Sequence, residues 1–436
     1  MSLETYQDQI ARLYHHGEII PMAVGSPHVK DITLQVTDDC SMACTYCYQT
    51  NKAKHHMSFD TARRFIDLLL EPDEGMARYC DSWNTWGVAL NFIGGEPLLE
   101  IDLIDRVTDY FIRRMVELDH PWLTRYMLGI CTNGLAYFHP RVQRYLRRHR
   151  DHLSLSITVD GSKAIHDACR VDLAGRGTYD RVIAAVRHYR DVLGGYVGSK
   201  VTIAPGNLAH LSQAIPEMVA EGYREINLNC VYEDVWRPEH PPVLYTQLKA
   251  ITDYLDESGH LNDVELSIFS KHCGSPISPE DDANWCGGTG LMLSVDWDGN
   301  IYPCQRYSEA SITGREPYTL GTLDRGMLRD PADCRRLKCL ECITRRSQST
   351  DECWACPVAQ GCGWCTAYHY ELFGTPDRRA TYICGMHKAR SLANVYYWAK
   401  RGQPVPLYLP DRDALGIVDA RELDALKAAA APIPSS

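Results

Sequence analysis

The stretch "VTDDCSMACTYCYQT", residues 36–50, contains three closely spaced cysteines. Gaps of three and two residues separate them, and they are Cys40, Cys44 and Cys47. Thiolates this close along the chain come together on a tight turn, as metal ligands must. A structural zinc ion needs four ligands, so Cys80 or Cys131 would have to complete such a site. A [4Fe–4S] cluster held by three cysteines instead keeps one iron open, and the spacing leaves both interpretations standing.

The composition of the chain limits the class of protein that it can be. The chain has 436 residues, is 45% hydrophobic and carries a formal net charge of −11, which predicts a globular protein with a large core or several domains. No run of about 18 uncharged apolar residues occurs, and residues 1–20 lack the apolar segment of a signal peptide. We therefore predict a soluble, cytoplasmic protein without nucleic-acid or membrane partners. A short basic peptide is a compatible partner.

Cysteine is abundant and clustered. The chain has 18 cysteines, and ten of them lie between residues 273 and 365. That density is too low for a small secreted disulfide scaffold, and disulfides are disfavoured in the cytosol. The clustering therefore favours thiolate ligands of metal ions or iron–sulfur clusters. Four further cysteines stand alone, and we predict that they pack in the core: Cys80, Cys131, Cys169 and Cys230.

Between residues 32 and 257, short β-rich runs alternate with segments of helical period. Two of the helices are predicted at residues 59–70 and 179–189, the first with Ser58 as its N-cap. Six strands alternating with helices predict parallel β/α units, closed or nearly closed into a barrel, with the chemistry at the C-terminal ends of the strands. The predicted strands are "ITLQV", "VALNFI", "YMLGIC", "LSLSITV", "SKVTIA" and "EINLN".

The first cysteine loop, "CSMACTYC", and the later turn "GGEP" together resemble the radical S-adenosylmethionine (SAM) enzymes. The resemblance implies an α/β fold, a partial (β/α)6 TIM-like barrel. It also implies that the open iron chelates the amino and carboxylate groups of SAM. An electron from the cluster then cleaves SAM to a 5′-deoxyadenosyl radical, which abstracts hydrogen from the substrate inside a barrel that excludes water.

The resemblance also implies SAM contacts. It places Gly94, Gly95 and Glu96 at the methionyl ammonium, although the same residues would suit a tight turn. "IHDACR" resembles the segment whose arginine pairs with the SAM carboxylate, which implies this role for Arg170; a surface ion pair is the alternative.

Three further positions belong to the same set. In "TVDG", Thr158 stands where the family usually has serine, and the retained hydroxyl suits a ribose or methionine contact or a turn. Tyr46 would neighbour the adenine. For Asn133 in "CTNG", an Asx-type turn is the favoured interpretation.

A second cysteine field resembles the SPASM domain, which carries auxiliary [4Fe–4S] clusters in radical SAM enzymes that modify peptides and proteins. Cys286, Gly299 and Cys304 fit the spacing Cys-x12-Gly-x4-Cys. The segment "CWACPVAQGCGWC" holds four more cysteines, and Cys384 follows after 18 intervening residues. Two residues separate Cys362 from Cys365, where the family usually has three. The alternative for this field is a pair of structural zinc sites.

The family pattern implies two auxiliary ligand sets. The first set would be Cys286, Cys304 and Cys365, with a fourth ligand from Cys273 or from a substrate thiolate. The second set would be Cys353, Cys356, Cys362 and Cys384. Three more cysteines are left open between cluster ligation, zinc binding and burial as thiols: Cys334, Cys339 and Cys342.

The predicted organisation has five parts. They are an N-terminal extension (1–31), the radical SAM barrel (32–257), a bridging region (258–285), the SPASM domain (286–390) and a C-terminal helix and tail (391–436). Because 39 residues precede Cys40, too few for a winged-helix leader-binding module, we expect leader recognition by the barrel and bridging region or by a separate protein.

The resemblance implies a maturase of ribosomally synthesised, cysteine-containing precursor peptides. It extends to a subgroup of these maturases whose precursor peptides carry Cys-x-x-x repeats. Its reaction would form a crosslink, most simply a thioether between a cysteine sulfur and a carbon. Its cofactors would be SAM and three [4Fe–4S] clusters, with a reductant such as flavodoxin or ferredoxin. One alternative is an anaerobic sulfatase-maturating enzyme that makes formylglycine, and another is a non-catalytic metal-binding interaction protein.

Overall fold

The computed structural model describes residues 29–196, 198–278, 282, 284 and 286–434. The predicted N-terminal extension lies outside the described residues except for its last three positions, and part of the bridging region does too. The strands are β1 Val29–Thr37, β2 Gly87–Gly94, β3 Tyr126–Thr132, β4 Leu153–Ile157, β5 Ser199–Ile203, β6 Glu225–Cys230, β7 Glu265–Leu266, β8 Met292–Val295, β9 Asn300–Tyr302, β10 Gly321–Thr322 and β11 Gly326–Met327.

The helices alternate with the first six strands and then dominate the C-terminal third. They are α1 Phe59–Leu70, α2 Glu74–Tyr79, α3 Ile101–Glu117, α4 Pro140–His149, α5 Lys163–Cys169, α6 Tyr179–Leu193, α7 Pro205–Leu208, α8 Leu211–Ala220, α9 His240–Glu257, α10 Pro331–Glu341, α11 Arg345–Gln348, α12 Asp351–Trp354, α13 Thr366–Phe373, α14 Cys384–Lys400, α15 Asp411–Ala414 and α16 Ala420–Ala429.

Local sequence accounts for these elements. Ser58 caps α1, because its side chain accepts a hydrogen bond from the backbone N–H of Thr61. The apolar face of α1 packs Phe65 and Leu69 into the core, and both are fully buried. On the strands, apolar residues such as Leu34 are buried in the same core. The six predicted strands and both predicted helices are confirmed.

The barrel is more open than predicted. Strands β1 to β4 are parallel and consecutive, but β5, β6 and β7 form a separate parallel sheet. At the break, the Ser199 hydroxyl donates to the carbonyl of Val159, just beyond the end of β4. The start of β5 thus lies level with the end of β4, and the two strands do not form a ladder. The six-stranded α/β architecture is confirmed, whereas closure into one continuous sheet is not observed among the described residues.

The C-terminal part extends the barrel sheet. Strand β8 pairs in parallel with β1, and β8 to β11 continue the sheet as an antiparallel meander. The long helix α14 packs on α9 of the barrel and crosses the boundary predicted at residue 390. Helix α10 lies within the predicted SPASM domain. No helix among the described residues is long and apolar enough to span a membrane.

Candidate functional site

The three-cysteine loop follows β1 and is held by the segment after α5. The backbone N–H of Ala43 donates to the carbonyl of Val171, and that of Thr45 donates to the carbonyl of Cys169. These bonds flank Arg170, so the segment that supplies Arg170 is paired directly with the cysteine loop. Because β1 and α5 are distant in sequence, only the fold brings these two predicted features together.

The turn after β2 docks on the start of the same loop. The backbone N–H of Gly95 donates to the carbonyl of Thr37, and that of Glu96 donates to the carbonyl of Asp39. A Cβ on Gly95 would lie 2.3 Å from the Asp39 oxygen. The sequence explained these glycines by close approach of a ligand. The structure adds that Gly95 is required for contact with the chain's own backbone.

Glu96 is buried and hydrogen-bonded. Its carboxylate accepts from the backbone N–H of Leu98 (3.0 Å), the hydroxyl of Thr132 (2.6 Å) and the backbone N–H of Asn133 (2.7 Å). Burial raises the pKa of Glu96, and these three donors oppose that shift. The glutamate is therefore fixed in one orientation at the strand end.

Arg170 lies against the cysteine loop through a buried carboxylate. Its Nη1 lies 3.6 Å from the Sγ of Cys44, and its Nε donates to Asp160 at 3.0 Å. The Tyr46 hydroxyl also donates to Asp160, whose side chain is fully buried. Burial would lower the pKa of Arg170, but the charge of Asp160 together with the nearby Tyr46 and Cys44 raises it. This is a buried ion pair rather than the surface pair considered from the sequence.

Thr158 and Asn133 stand at the same end of the barrel. Thr158 directly follows β4, and its backbone N–H donates to the carbonyl of Thr132. The side-chain oxygen of Asn133 accepts from the backbone N–H of Leu135, the turn role predicted for it. Its Nδ2 lies 3.9 Å from the Sγ of Cys40. Asn133 thus serves the turn and also faces the cysteine loop.

One group of thiols gathers beside β8. A Cβ placed on Gly288 would lie 3.4 Å from the Sγ of Cys304 and 3.5 Å from the Sγ of Cys286, so both sulfurs flank one point. Burial, and then the charges of Cys286 and Cys365, raise the pKa of Cys304. The structure therefore brings together the three cysteines of the first predicted auxiliary set.

A second group lies near the start of α14. Burial, and then the nearby thiols of this set, raise the pKa of Cys384 to about 12. The neighbours responsible are Cys362, Cys353 and Cys356. The four cysteines of the second predicted set are thus close to one another.

Cys273 lies with the second group rather than the first. A Cβ on Gly361 would lie 3.3 Å from its Sγ, and the charge of Cys362 contributes to its raised pKa after burial. The expectation that Cys273 completes the first auxiliary set is therefore not supported by its position. Its upstream location in sequence suggested the first set, but the chain around Ser275 pairs with Gln360 and carries Cys273 to the other group.

The remaining cysteines differ in their contacts and in their burial. Cys334 donates to the carbonyl of Leu328, and Cys339 interacts with the hydroxyl of Tyr318. Cys80 and Cys169 are buried as predicted, and Cys230 is half-buried. Cys131 is exposed, so its assignment to the core was wrong. The reason is its place on β3, where it alternates with the buried Ile130.

Two known proteins are similar to this chain in sequence. No protein-family model matches the chain. Protein MJ0907 of Methanocaldococcus jannaschii is 38% identical over 291 residues, which are 66% of this chain and 88% of MJ0907. The radical SAM cyclopropyl synthase TigE of Paramaledivibacter caminithermalis is 24% identical over 165 residues, 33% of this chain and 32% of TigE.

Two solved structures share the fold. The sulfatase maturase anSMEcpe with bound AdoMet has a TM-score of 0.57 at 14% identity, covering 86% of this chain and 98% of its own. Streptococcus suis SuiB bound to precursor peptide SuiA has a TM-score of 0.53 at 12% identity, covering 87% and 79%. The chain therefore has the fold of radical SAM enzymes that carry a SPASM domain.

The residues at the barrel end suit the groups used by radical SAM enzymes. Burial raises the pKa of the Cys44 thiol to about 11, opposed by Arg170. A buried thiol ionises when its sulfur coordinates a metal ion. The Oδ1 of Asp160 is buried with no hydrogen-bond partner among the described residues. Because such an acceptor is costly when left unpaired, it suits a donor from a bound cofactor such as SAM.

Sequence reasoning missed two features of this candidate site. Asp160 belongs to the quoted "TVDG", but only Thr158 was singled out, and the Asp–Arg spacing of ten residues gave no periodic cue. Arg306 lies 4.5 Å over the ring of Tyr48 and donates to Glu233 at 2.9 Å. Since Tyr48 follows Cys47 and Arg306 follows Cys304 closely, this stack joins the cysteine loop to the first auxiliary group.

Proposed function

We propose that the protein is a radical SAM peptide maturase that crosslinks a cysteine-containing precursor peptide, most simply through a thioether. One observation carries the proposal. The three-cysteine loop and the thiol group of Cys286 and Cys304 are joined by the stack of Tyr48 on Arg306. A hydrogen-abstracting centre and a thiolate-binding or electron-accepting centre are the two parts that sulfur-to-carbon bond formation requires.

The chain's own residues prepare the SAM site. When bound, SAM and the clusters supply a 5′-deoxyadenosyl radical for hydrogen abstraction and an acceptor for the surplus electron. Cys40, Cys44 and Cys47 would hold the SAM cluster. Glu96 and Arg170 would orient the ammonium and carboxylate of SAM, because they present opposite charges beside the three-cysteine loop.

The remaining assignments follow the same geometry. Gly94, Gly95, Thr158 and Tyr46 would complete the SAM site, as their placement beside the loop supports. We assign one auxiliary [4Fe–4S] cluster to each thiol group, which makes three clusters. Residues 32–257 would form the barrel and 286–390 the SPASM domain. Four-iron clusters with cysteine ligands are most stable in a reducing compartment, which supports the cytoplasm.

The similar structures support a peptide substrate. SuiB is bound to its precursor peptide SuiA, and anSMEcpe has been solved with the Kp18Cys peptide. We infer a precursor peptide with a leader as the partner, and flavodoxin or ferredoxin as the reductant. Leader recognition would fall to the barrel and bridging region or to a separate protein.

Formylglycine formation is the second candidate function. It is favoured by the TM-score of 0.57 with anSMEcpe, which covers 98% of that chain. The two reactions differ in what the peptide loses. Thioether formation removes one hydrogen from carbon and one from the thiol, whereas oxidation of cysteine to formylglycine removes the thiol sulfur.

Mass spectrometry of a co-expressed precursor peptide tests the proposal. The peptide to use is one encoded beside this gene, modified by the anaerobically reconstituted protein with SAM and a reductant. A loss of two hydrogens per crosslink, with the cysteine no longer alkylated, is expected. Loss of sulfur would establish the formylglycine reaction instead. An unchanged peptide mass from a protein that cleaves SAM would contradict both.

A further inference from the structure

The inward-facing positions of β4, β5 and β6 are polar. Parallel strands covered on both faces are usually apolar throughout, and a filled TIM barrel has bulky branched residues inside. Here only the alternate positions, such as Leu155, Val201 and Leu228, are buried and apolar. The positions on the opposite face are Ser154, Ser156, Lys200, Asn227 and Asn229.

These side chains line a cavity of 610 Å³. Met127 and Tyr189 supply an apolar part of the wall. In the β5–β6 ladder, Lys200 is the direct partner of Asn227, so an ammonium and an amide lie side by side. A volume of this size falls within the range of ligand pockets, which is about 300–1,000 Å³. The cavity is thus large enough for two or three residues of an extended peptide.

Three polar side chains of the cavity have no partner in the part of the protein that the structure describes. Within that part, Lys200 forms no ion pair, and the side chains of Asn227 and Asn229 form no hydrogen bond. All three residues are exposed, so their polar groups are accessible to a ligand, and the concave walls focus the charge of Lys200 on a carboxylate that enters. Primary amides beside it can pair with the N–H and C=O groups of a peptide backbone.

Two acidic residues lie next to this cavity without lining it. Glu225 and Glu265 are partners in the β6–β7 ladder, and Glu225 lies two residues before Asn227, or about 7 Å along the strand. Burial and then Glu225 raise the pKa of Tyr196, which lines the same rim. A carboxylate that approached Lys200 past Glu225 and Glu265 would be repelled, which favours an approach from the other side of the cavity.

We propose that this cavity binds a carboxylate of the peptide substrate, with Lys200 as its cation and Asn227 and Asn229 on the peptide backbone. The inference rests on the proposed function, because it specifies the substrate of that same barrel. The carboxylate belongs either to an acidic side chain or to the peptide C-terminus. In both cases the protein selects peptides with a negative charge near the reacting residue.

Binding of short synthetic probes to the reconstituted protein tests the proposal by calorimetry. One probe is acetyl-Gly-Cys-Gly-Glu-Gly-amide, the second replaces Glu by Gln, and the third has Gln with a free C-terminus. Lys200→Met should weaken binding of at least one charged probe about fivefold and leave the neutral probe unaffected. The charged probe that responds identifies the source of the carboxylate, and Lys200→Arg should retain most of the affinity.

Two controls separate the possible failures. Lys338→Met removes an exposed lysine on α10 and should leave every affinity unchanged. SAM cleavage without peptide is measured in the same preparations. Equal binding of all probes by Lys200→Met and the unsubstituted protein, with SAM cleavage intact, overturns the cavity assignment alone. Absence of SAM cleavage in the unsubstituted protein overturns the proposed function.

Discussion

At the scale of single residues, Asp160 organises the end of the barrel that carries the three-cysteine loop. One oxygen of this fully buried carboxylate accepts hydrogen bonds from both Arg170 and Tyr46. A buried ion pair is costly to break from one side, because the remaining charge stays uncompensated. The role assigned to Arg170 from the sequence therefore depends on a residue that the motif did not single out.

Asp160→Asn should destabilise the protein by about 3 kcal/mol, because it leaves the Arg170 guanidinium buried without its counter-charge. Adding Arg170→Gln to the first substitution should recover part of that loss. The measurement is the free energy of unfolding by urea for the two single variants and the double variant. A double variant whose destabilisation equals the sum of the singles would show that the two side chains do not interact.

Gly95→Ala should remove the SAM cluster while leaving auxiliary iron bound. The added Cβ would lie 2.3 Å from the Asp39 carbonyl oxygen, so the turn would separate from the cysteine loop. Iron content and SAM cleavage report the effect. Gly206→Ala is the matched control, since a Cβ there meets nothing within 4 Å. Equal iron content in the two variants would contradict the docking role of Gly95.

At the scale of elements, the strands were predictable and their assembly was not. Alternating β-branched and leucine residues predicted β1 to β6, and Ser58 predicted the start of α1. The break between β4 and β5 depends on a stagger that local sequence does not encode. Likewise, the position of Cys273 depends on a long-range pairing of the chain, which local sequence does not show, so it was assigned to the wrong group. Cys131 was placed in the core because the sequence does not show which face of β3 is exposed.

His120, the N-cap of the short helical turn Pro121–Thr124, makes a pH-sensitive contact. His120 is buried between Trp83 and Trp122, with ring centroids 4.7 Å and 5.1 Å away. Its Nδ1 accepts from the backbone N–H of Trp122. Burial lowers the pKa of His120 to about 4. In the unfolded chain His120 therefore binds a proton below about pH 6.5. In the folded chain it stays neutral until about pH 4.

Acidification from about pH 6.5 to about pH 4 should cost stability through His120, by at most about 1.4 kcal/mol per pH unit. His120→Asn removes the titrating group and should make the pH dependence of the unfolding free energy shallower over that window. The exposed His210 provides the control, and His210→Asn should keep the original slope. Identical slopes for all three proteins would refute the buried, neutral state of His120.

At the scale of the whole molecule, the cysteines of the three predicted ligand sets fall into separate groups. The first loop follows β1, and the auxiliary groups lie beside β8 and near the start of α14. The first loop is a segment of its own, linked to the first auxiliary group by the stack of Tyr48 on Arg306. The two auxiliary groups share the segment 353–365, in which Cys365 follows Cys362 after two intervening residues. We therefore expect the first loop to bind iron independently of the auxiliary groups.

Cys44→Ala should reduce iron from about 12 to about 8 atoms per chain, as the loss of one of three four-iron clusters requires. Cys356→Ala should cause the same loss from the second auxiliary group. Only Cys44→Ala should abolish SAM cleavage. The paired measurements are iron content and 5′-deoxyadenosine formation. Loss of all iron in either variant would mean that the groups fold as one cooperative unit.

The central claim is that the loop of Cys40, Cys44 and Cys47 holds a cluster with an iron open to SAM. Electron paramagnetic resonance of the anaerobically reconstituted, reduced protein tests it most directly, with and without SAM. The expected result is that SAM changes the signal of one cluster and is cleaved to 5′-deoxyadenosine, and that Cys44→Ala loses both effects. A colourless, zinc-loaded protein, or a cluster signal that SAM leaves unchanged, would contradict the claim.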